Sequence, residues 1–311
     1  MMSLEELHRR ISGFPRVDLS HLPTPLEPMI SLSGTLGGPS IHIKRDDQTG
    51  LAFGGNKARK LEFIIADALA SGADAIVTWA GVQSNWCRQL AAASARVGLR
   101  PVLVLLKRPG LPAEEDGNLL VDRVLDADIH MVEASGEKGF LQLDNVREFV
   151  DPVLSAQEAA GRSCYLAPIG GSLLEGSMKR PLGAMGYLAA FAEVLEQCQA
   201  RGFTPGSIVM ATGSAGTQAG LLAGAKLLSP ETRIVGISVA GSSEVISGYV
   251  KDITAALLEE MGEPGSVSDN EVIVFDDYIG EGYGILYDQV VQAMRLVAGK
   301  EGVLLDPVYT G

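Results

Sequence analysis

The 311-residue chain is poor in the residues that most often build metal centres and disulfide frames. It has three cysteines, four histidines, two tryptophans and 5% aromatic residues overall. Cys87, Cys164 and Cys198 are odd in number, far apart and form no CxxC pair. They predict reduced thiols in a cytoplasmic protein rather than a disulfide frame or a zinc site. None of His8, His21, His42 and His130 lies at ligand spacing from another histidine, a cysteine or an acid, so no metal is expected. No apolar run approaches the ~18 residues that cross a bilayer, and Met1–Leu7 carries acids where a secretory leader needs bases. Positive charge is also short. The net charge of −13 argues against nucleic acid or an anionic membrane as partner, although it leaves an anionic small substrate open. With 46% hydrophobic and 20% charged residues, the chain is an ordinary globular protein, long enough for two lobes or one large α/β domain.

What is there is a rhythm. Strand-length apolar runs at Ile41–Lys44, Ala75–Trp79, Pro101–Leu106, Ile129–Val132, Cys164–Ala167, Ser207–Ala211 and Arg233–Ser238 alternate with helical periodicity. The helical segments are Asn56–Ala70, Asn85–Val97, Leu119–Leu125, Phe140–Ala160, Gly183–Cys198 and Gln218–Leu228. Strand and helix in alternation predict mostly parallel sheets covered on both faces. No repeat, low-complexity tract or long linker interrupts the pattern, and Gly-Gly pairs at 54 and 170 mark crossings between tightly packed lobes.

Lys57 follows Gly54-Gly55-Asn56 and opens an amphipathic helix. Glycines let backbone approach a ligand closely. A helix start adds free N–H groups and partial positive charge, and both favour a deprotonated, nucleophilic lysine. Spacing alone leaves Lys57 equally readable as a cation on a solvated face. Thr212-Gly213-Ser214-Ala215-Gly216-Thr217 joins a buried strand to a helix, where an α/β sheet holds a phosphate on backbone N–H groups. It lacks the Gly-Lys-Ser/Thr of a nucleotide P-loop and the glycine spacing of a dinucleotide fold. One phosphate with no nucleotide behind it fits best; a tight turn that binds nothing is the plainer alternative. Gln83-Ser84-Asn85-Trp86 sets hydroxyl and amide groups at another helix start, suited to a carboxylate or to simple capping. Tyr278 and Tyr283 sit in a glycine-rich loop before a helix, as packing residues or as a proton shuttle. An amine nucleophile, a single phosphate cradle and a carboxylate grip without a metal together match the needs of pyridoxal 5′-phosphate (PLP) and an amino-acid substrate.

These motifs, with Leu22-Pro23-Thr24-Pro25-Leu26, Ile43-Lys44-Arg45-Asp46-Asp47 and Arg59-Lys60-Leu61-Glu62 in order, resemble the D-cysteine desulfhydrase and 1-aminocyclopropane-1-carboxylate (ACC) deaminase family of PLP enzymes. The resemblance covers nearly the whole chain. It implies the two-lobed α/β, tryptophan synthase β-like fold: a larger cofactor-binding lobe from residues 1–54 and 165–311, a smaller lobe from 55–164, and a homodimer. Lys57 would take up the cofactor aldehyde and Asn85 would bind its phenolic oxygen. Gln83 and Ser84 would hold the substrate carboxylate, and Gly213–Thr217, after Thr212, the phosphate. Tyr283 would sit over the reacting carbon, Tyr278 near the substrate, and Thr310 at the pyridine nitrogen. Trp86 departs from the polar residue usual in the family and would reshape the carboxylate grip. The stretch Ala211–Gln218 and Gly280-Glu281-Gly282-Tyr283-Gly284 are similar to L-cysteate sulfo-lyase, whereas Leu51-Ala52-Phe53 is similar to the desulfhydrases. The family usually continues with another helix beyond Tyr309-Thr310-Gly311. The implied activity is a carbon–sulfur lyase that turns D-cysteine or L-cysteate into pyruvate, ammonia and sulfide or sulfite. ACC deaminase, and a silent PLP-binding amino-acid sensor, are the alternatives.

Overall fold

The computed structural model describes residues 1–110, 114–135 and 139–311. The N-terminal part contributes α1 (Leu4–Ile11), the short strands β1 (Leu26–Pro28) and β2 (His42–Lys44), and between them α2 (Ile30–Leu36). Then α3 (Lys57–Ala70), β3 (Ala75–Gly81), α4 (Asn85–Val97), β4 (Arg100–Lys107), α5 (Gly117–Val124), β5 (Asp128–Glu133), α6 (Arg147–Ala159) and β6 (Cys164–Leu166) follow. The remainder is α7 (Leu182–Gln199), β7 (Ser207–Thr212), α8 (Gly216–Leu228), β8 (Arg233–Ser238), α9 (Ser243–Glu260), β9 (Ile273–Phe275) and α10 (Asp288–Glu301).

Two parallel sheets carry the fold. One runs in the order β5-β4-β3-β6 and the other β7-β8-β9, while β1 and β2 form an antiparallel pair. In the first sheet Ala75 aligns with Arg100 on one side and Cys164 on the other. In the second, Ser207 aligns with Arg233 and Val235 with Ile273. From Ala75 to Ala80 every residue of β3 is buried, as a central strand with helices on both faces requires. The result is the mixed α/β architecture expected. Because β6 pairs with β3, the four-stranded sheet reaches Leu166, so a boundary at 164 falls inside a strand.

The largest apolar cluster runs through both sheets' helices, from Leu7 of α1 through Ile64 of α3 and Phe191 of α7 to Leu257 of α9. At its centre α3, α7 and α8 lie against one another. Gly220 of α8 faces the backbone of Ala184, and Gly186 of α7 faces that of Arg59, so closely that a Cβ would fall 2.2 and 2.4 Å from the carbonyl oxygens. Close-packed interiors accept no such atom. Several elements escape the periodicity of the sequence: α1, α2, β1, α9 and β9. The predicted helix over 140–160 begins only at Arg147. The stretch before it is held otherwise: the Trp79 indole donates to the Phe140 carbonyl and the Leu143 N–H to Glu175.

Candidate active site

The chemistry gathers at the carboxyl ends of β3 and β7, where parallel sheets present helix starts to a ligand. Lys57 is the first residue of α3. The turn before it holds Gly54 at φ 73° and Gly55 at φ 123°, conformations open to glycine. A Cβ on Gly54 would lie 1.8 Å from the Asp47 carbonyl oxygen. Thr49 braces the turn, accepting from the Gly55 N–H and donating to the Gly55 carbonyl, both at 2.9 Å. From the other side Arg88 of α4 donates to the Gly54 carbonyl at 3.0 Å.

Burial pulls the Lys57 pKa down from 10.5 to about 8, because a desolvated ammonium loses its hydration. The amine donates to Asn56 Oδ1 at 3.1 Å, and Asn56 Nδ2 in turn donates to Thr217 Oγ1 at 3.2 Å. Asn56 thereby couples the lysine to the loop after β7.

That loop, with Lys60, is the second half of the site. Lys60 lies one turn beyond Lys57, ~4.5 Å along the helix axis, and is completely buried. Its ammonium donates to the Gly170 carbonyl and to Ser172 Oγ, both at 3.1 Å, and no carboxylate pairs with it among the described residues. Burial, with the Lys57 charge adding to it, holds its pKa well below the usual lysine value. Ser172 and Ser214 share a hydrogen bond of 2.8 Å. Gly216 closes on this group: a Cβ there would stand 2.6 Å from Ser172 Oγ and 3.0 Å from Lys60 Nζ. Helix α8 starts from Ala215 at φ 66° with no side-chain cap. Thr212 Oγ1 is buried without a partner among the described residues. A buried cation lacking a counter-ion, an uncapped helix start and hydroxyls too crowded for any side chain at residue 216 fit a phosphate. With an amine one turn away, the pair fits the two ends of PLP.

The chain matches the model of the pyridoxal-phosphate dependent enzymes over residues 17–311. It belongs to that family. The cofactor of these PLP-dependent enzymes is pyridoxal 5′-phosphate, as expected. Among solved structures the chain is similar to one described as an ACC deaminase homologue, at 32% identity over 98% of this chain and 86% of that one, with a TM-score of 0.85. It shares its fold with the processed form of threonine deaminase isoform 2 from Solanum lycopersicum (17% identity, 98% and 76% covered, TM-score 0.59). The same holds for Escherichia coli diaminopropionate ammonia lyase (18% identity, 76% and 61% covered, TM-score 0.53).

Within this PLP-dependent enzyme the remaining expected residues divide. Ser84 caps α4, accepting from the Cys87 N–H at 3.3 Å, which leaves its own O–H to donate elsewhere. The Asn85 side chain is half-buried and has no hydrogen-bond partner among the described residues. Tyr283 and Tyr309 join hydroxyl to hydroxyl at 2.5 Å, ring edge toward ring face, with centroids 6.1 Å apart. Burial raises the pKa of both phenols, and Asp306 acts on them in the same sense. A narrow cleft runs from Ser238 and Val239 past Tyr278 to Tyr309, and Val239 borders Gly213.

Others point away. Gln83 is spent on the start of α5: its Nε2 donates to Asp116, and its Oε1 accepts from the Asn118 N–H at 2.8 Å. Thr310 binds its own turn, donating to Asp306 Oδ2 at 2.6 Å. Tyr278, by contrast, lines the cleft toward Tyr309 while 62% exposed. Trp86 is a correction. It is 2% exposed and donates inward to Thr78 Oγ1 at 2.8 Å, with its ring against Gly171. An indole with so little free surface packs the core and does not border a carboxylate grip.

Sequence reasoning passed over Asn56, Lys60, Ser172 and Tyr309. The signal for Lys60 was present: a second lysine three residues after Lys57, among the apolar residues of a buried helix face. Arg59 and Asp46 explain themselves in the same way. Arg59, 2% exposed, donates to Asp46 at 2.8 Å and Glu193 at 2.9 Å. Tyr187 donates to Asp46 at 2.6 Å. Burial opposes the Arg59 charge, but Glu193 and Asp46 outweigh it and hold its pKa above the usual value. This network pins α3, and with it Lys57, between the N-terminal segment and α7.

Proposed function

We propose that the protein is a PLP-dependent lyase that eliminates a leaving group from Cβ of a small amino acid, releasing ammonia and a keto acid. The single observation that carries this reading is the pair Lys57 and Lys60, one turn apart on α3, one partly exposed and the other buried beneath the loop after β7. Gly213–Thr217 and Lys60 would hold the cofactor phosphate, Lys57 its aldehyde end and Asn85 its phenolic oxygen. When bound, PLP withdraws electrons from the substrate's α-carbon.

The chain's own groups do the rest. Lys57 Nζ, with its pKa lowered to about 8, is available as a base near neutral pH and takes the proton from the α-carbon. The Ser84 hydroxyl and the positive start of α4 orient the substrate carboxylate. The Tyr283–Tyr309 pair stays protonated near neutral pH because phenols titrate near 10 and both are shifted upward here. One phenol can therefore give a proton to the departing group while the other replaces it across the 2.5 Å hydrogen bond. Sulfide from D-cysteine and sulfite from L-cysteate are the leaving groups favoured by the motifs shared with those enzymes.

A second reading is ACC deaminase, favoured by the 32% identity to the ACC deaminase homologue. Incubation with D-cysteine, L-cysteate and ACC separates the readings, because the products are sulfide, sulfite and 2-oxobutyrate. In the Lys57→Ala variant turnover should disappear, and borohydride should no longer fix the cofactor to residue 57. Turnover surviving in that variant refutes the role given to Lys57.

A further inference from the structure

The four residues before Asn56 all have positive φ: Ala52 at 43°, Phe53 at 68°, Gly54 at 73° and Gly55 at 123°. The first two carry side chains that resist this conformation. Phe53 is 79% exposed, so packing of its ring does not hold the stretch in place. Strain of this kind persists only where the surroundings fix it. Thr49 supplies such a fixture. It is completely buried, and its hydroxyl meets both backbone groups of Gly55, the N–H and the carbonyl, at 2.9 Å. Neither group needs Thr49 for a partner. The Gly55 N–H also donates to the Asp46 carbonyl at 3.0 Å, and the Gly55 carbonyl also accepts from the Ala58 N–H at 3.3 Å. The hydroxyl therefore gives the peptide a direction rather than rescuing an unpaired group. Thr49 is itself anchored, since its carbonyl accepts from the His21 N–H at 2.9 Å. Gly50 beside it lies so close to the His21 ring that a Cβ would fall 2.6 Å from Nδ1. Helix α3, meanwhile, starts from Asn56 without a side-chain cap.

We propose that Thr49 is a positioning residue whose hydroxyl, by clasping Gly55, fixes the direction in which α3 starts and so how Lys57 presents its amine to the cofactor aldehyde. This rests on the role given above to Lys57. Gly55 stands two residues before Lys57, so a rotation of its peptide turns the start of α3, and the amine at the end of a long, flexible side chain moves with it. Attachment joins the Lys57 nitrogen to the aldehyde carbon with loss of water, a step that needs the amine at the right distance and angle. The phosphate end depends on other residues. Lys60 is held by the Gly170 carbonyl and Ser172, and neither these nor the loop after β7 is a hydrogen-bond partner of Thr49 among the described residues. The two ends of the cofactor therefore rely on Thr49 unequally.

The test compares the full chain with Thr49→Val, which keeps the shape and removes the hydroxyl, and with Thr49→Ser, which keeps the hydroxyl. Each protein is stripped of cofactor and mixed with PLP; attachment is followed by visible absorbance and located by borohydride labelling. Affinity for pyridoxamine 5′-phosphate, which has the phosphate but no aldehyde, is measured in parallel. Thr49→Val should attach PLP about tenfold more slowly, with affinity for pyridoxamine 5′-phosphate within about twofold of the parent. Thr49→Ser should attach PLP at close to the parent rate. If Thr49→Val fails to fold, Thr49→Ala takes its place, because it differs from Thr49→Ser by the hydroxyl alone. Attachment at the parent rate without the hydroxyl, or equal slowing in Thr49→Ser, overturns the positioning role while the label stays at Lys57. So does a matching fall in affinity for pyridoxamine 5′-phosphate, because the hydroxyl would then support the whole site. A label at another lysine overturns the Lys57 reading and this proposal with it.

Discussion

Two helix starts belong to the candidate site, and they begin differently. Helix α4 caps itself: Ser84 accepts from the Cys87 N–H, the usual way in which a helix start is completed from within. Helix α8 does not. Its first turn follows Ala215, in a left-handed conformation and without a side-chain cap, and it faces a buried lysine with no acid beside it among the described residues. A completed start can still orient a charged substrate through its partial charge, but it offers few unsatisfied donors. A start without a cap offers more of them, even with the Gly216 N–H donating to the Ser214 carbonyl at 2.8 Å. On the proposed function, α8 would keep a permanently held anion and α4 would receive a visitor.

The sharpest way to break this contrast is Gly216→Ala. The added methyl would collide with Ser172 and Lys60, and affinity for PLP should fall roughly tenfold to a hundredfold in equilibrium titration of the apoprotein. Affinity within twofold of the parent would mean that the anion sits elsewhere. Ser84→Ala should act on the other helix, lowering folding stability by about 1 kcal/mol in urea titration while leaving PLP affinity unchanged. Loss of cofactor there would show that the two starts share one ligand. Ala215→Gly is the mildest change. It relieves the left-handed strain, worth about 1 kcal/mol, against the greater freedom that glycine has when unfolded. Its melting temperature should rise by a few degrees at most, with cofactor binding intact, and a fall would show that the Ala215 methyl is needed for packing.

Much of this architecture was legible because periodicity and burial agree. β3, β4 and α3 are long, apolar and central, so tertiary context reinforces what their residues prefer. β1, β9 and α2 are only three to seven residues long. They owe their form to neighbours: Leu26 to its pairing with Lys44, for instance, which no local pattern announces. The site divides along the same line. Lys57 and the loop after β7 declared themselves through glycines and hydroxyls placed at helix starts. Trp86 misled because its neighbours in the chain do not reveal that its own place on the helix faces inward, where the indole meets Thr78. Tyr309 was passed over because its partner, Tyr283, lies 26 residues away.

The guanidinium of Arg59 also has a bearing on how the protein comes into being. Its acceptors come from residues 24, 46 and 193, so the helix that carries Lys57 has its full set of anchors only when more than half of the chain is available. A growing polypeptide released short of Glu193 could form β3, β4 and α3, yet would hold Lys57 on an unbraced helix. The helix that carries Lys57 is therefore fully braced only once α7 is in place.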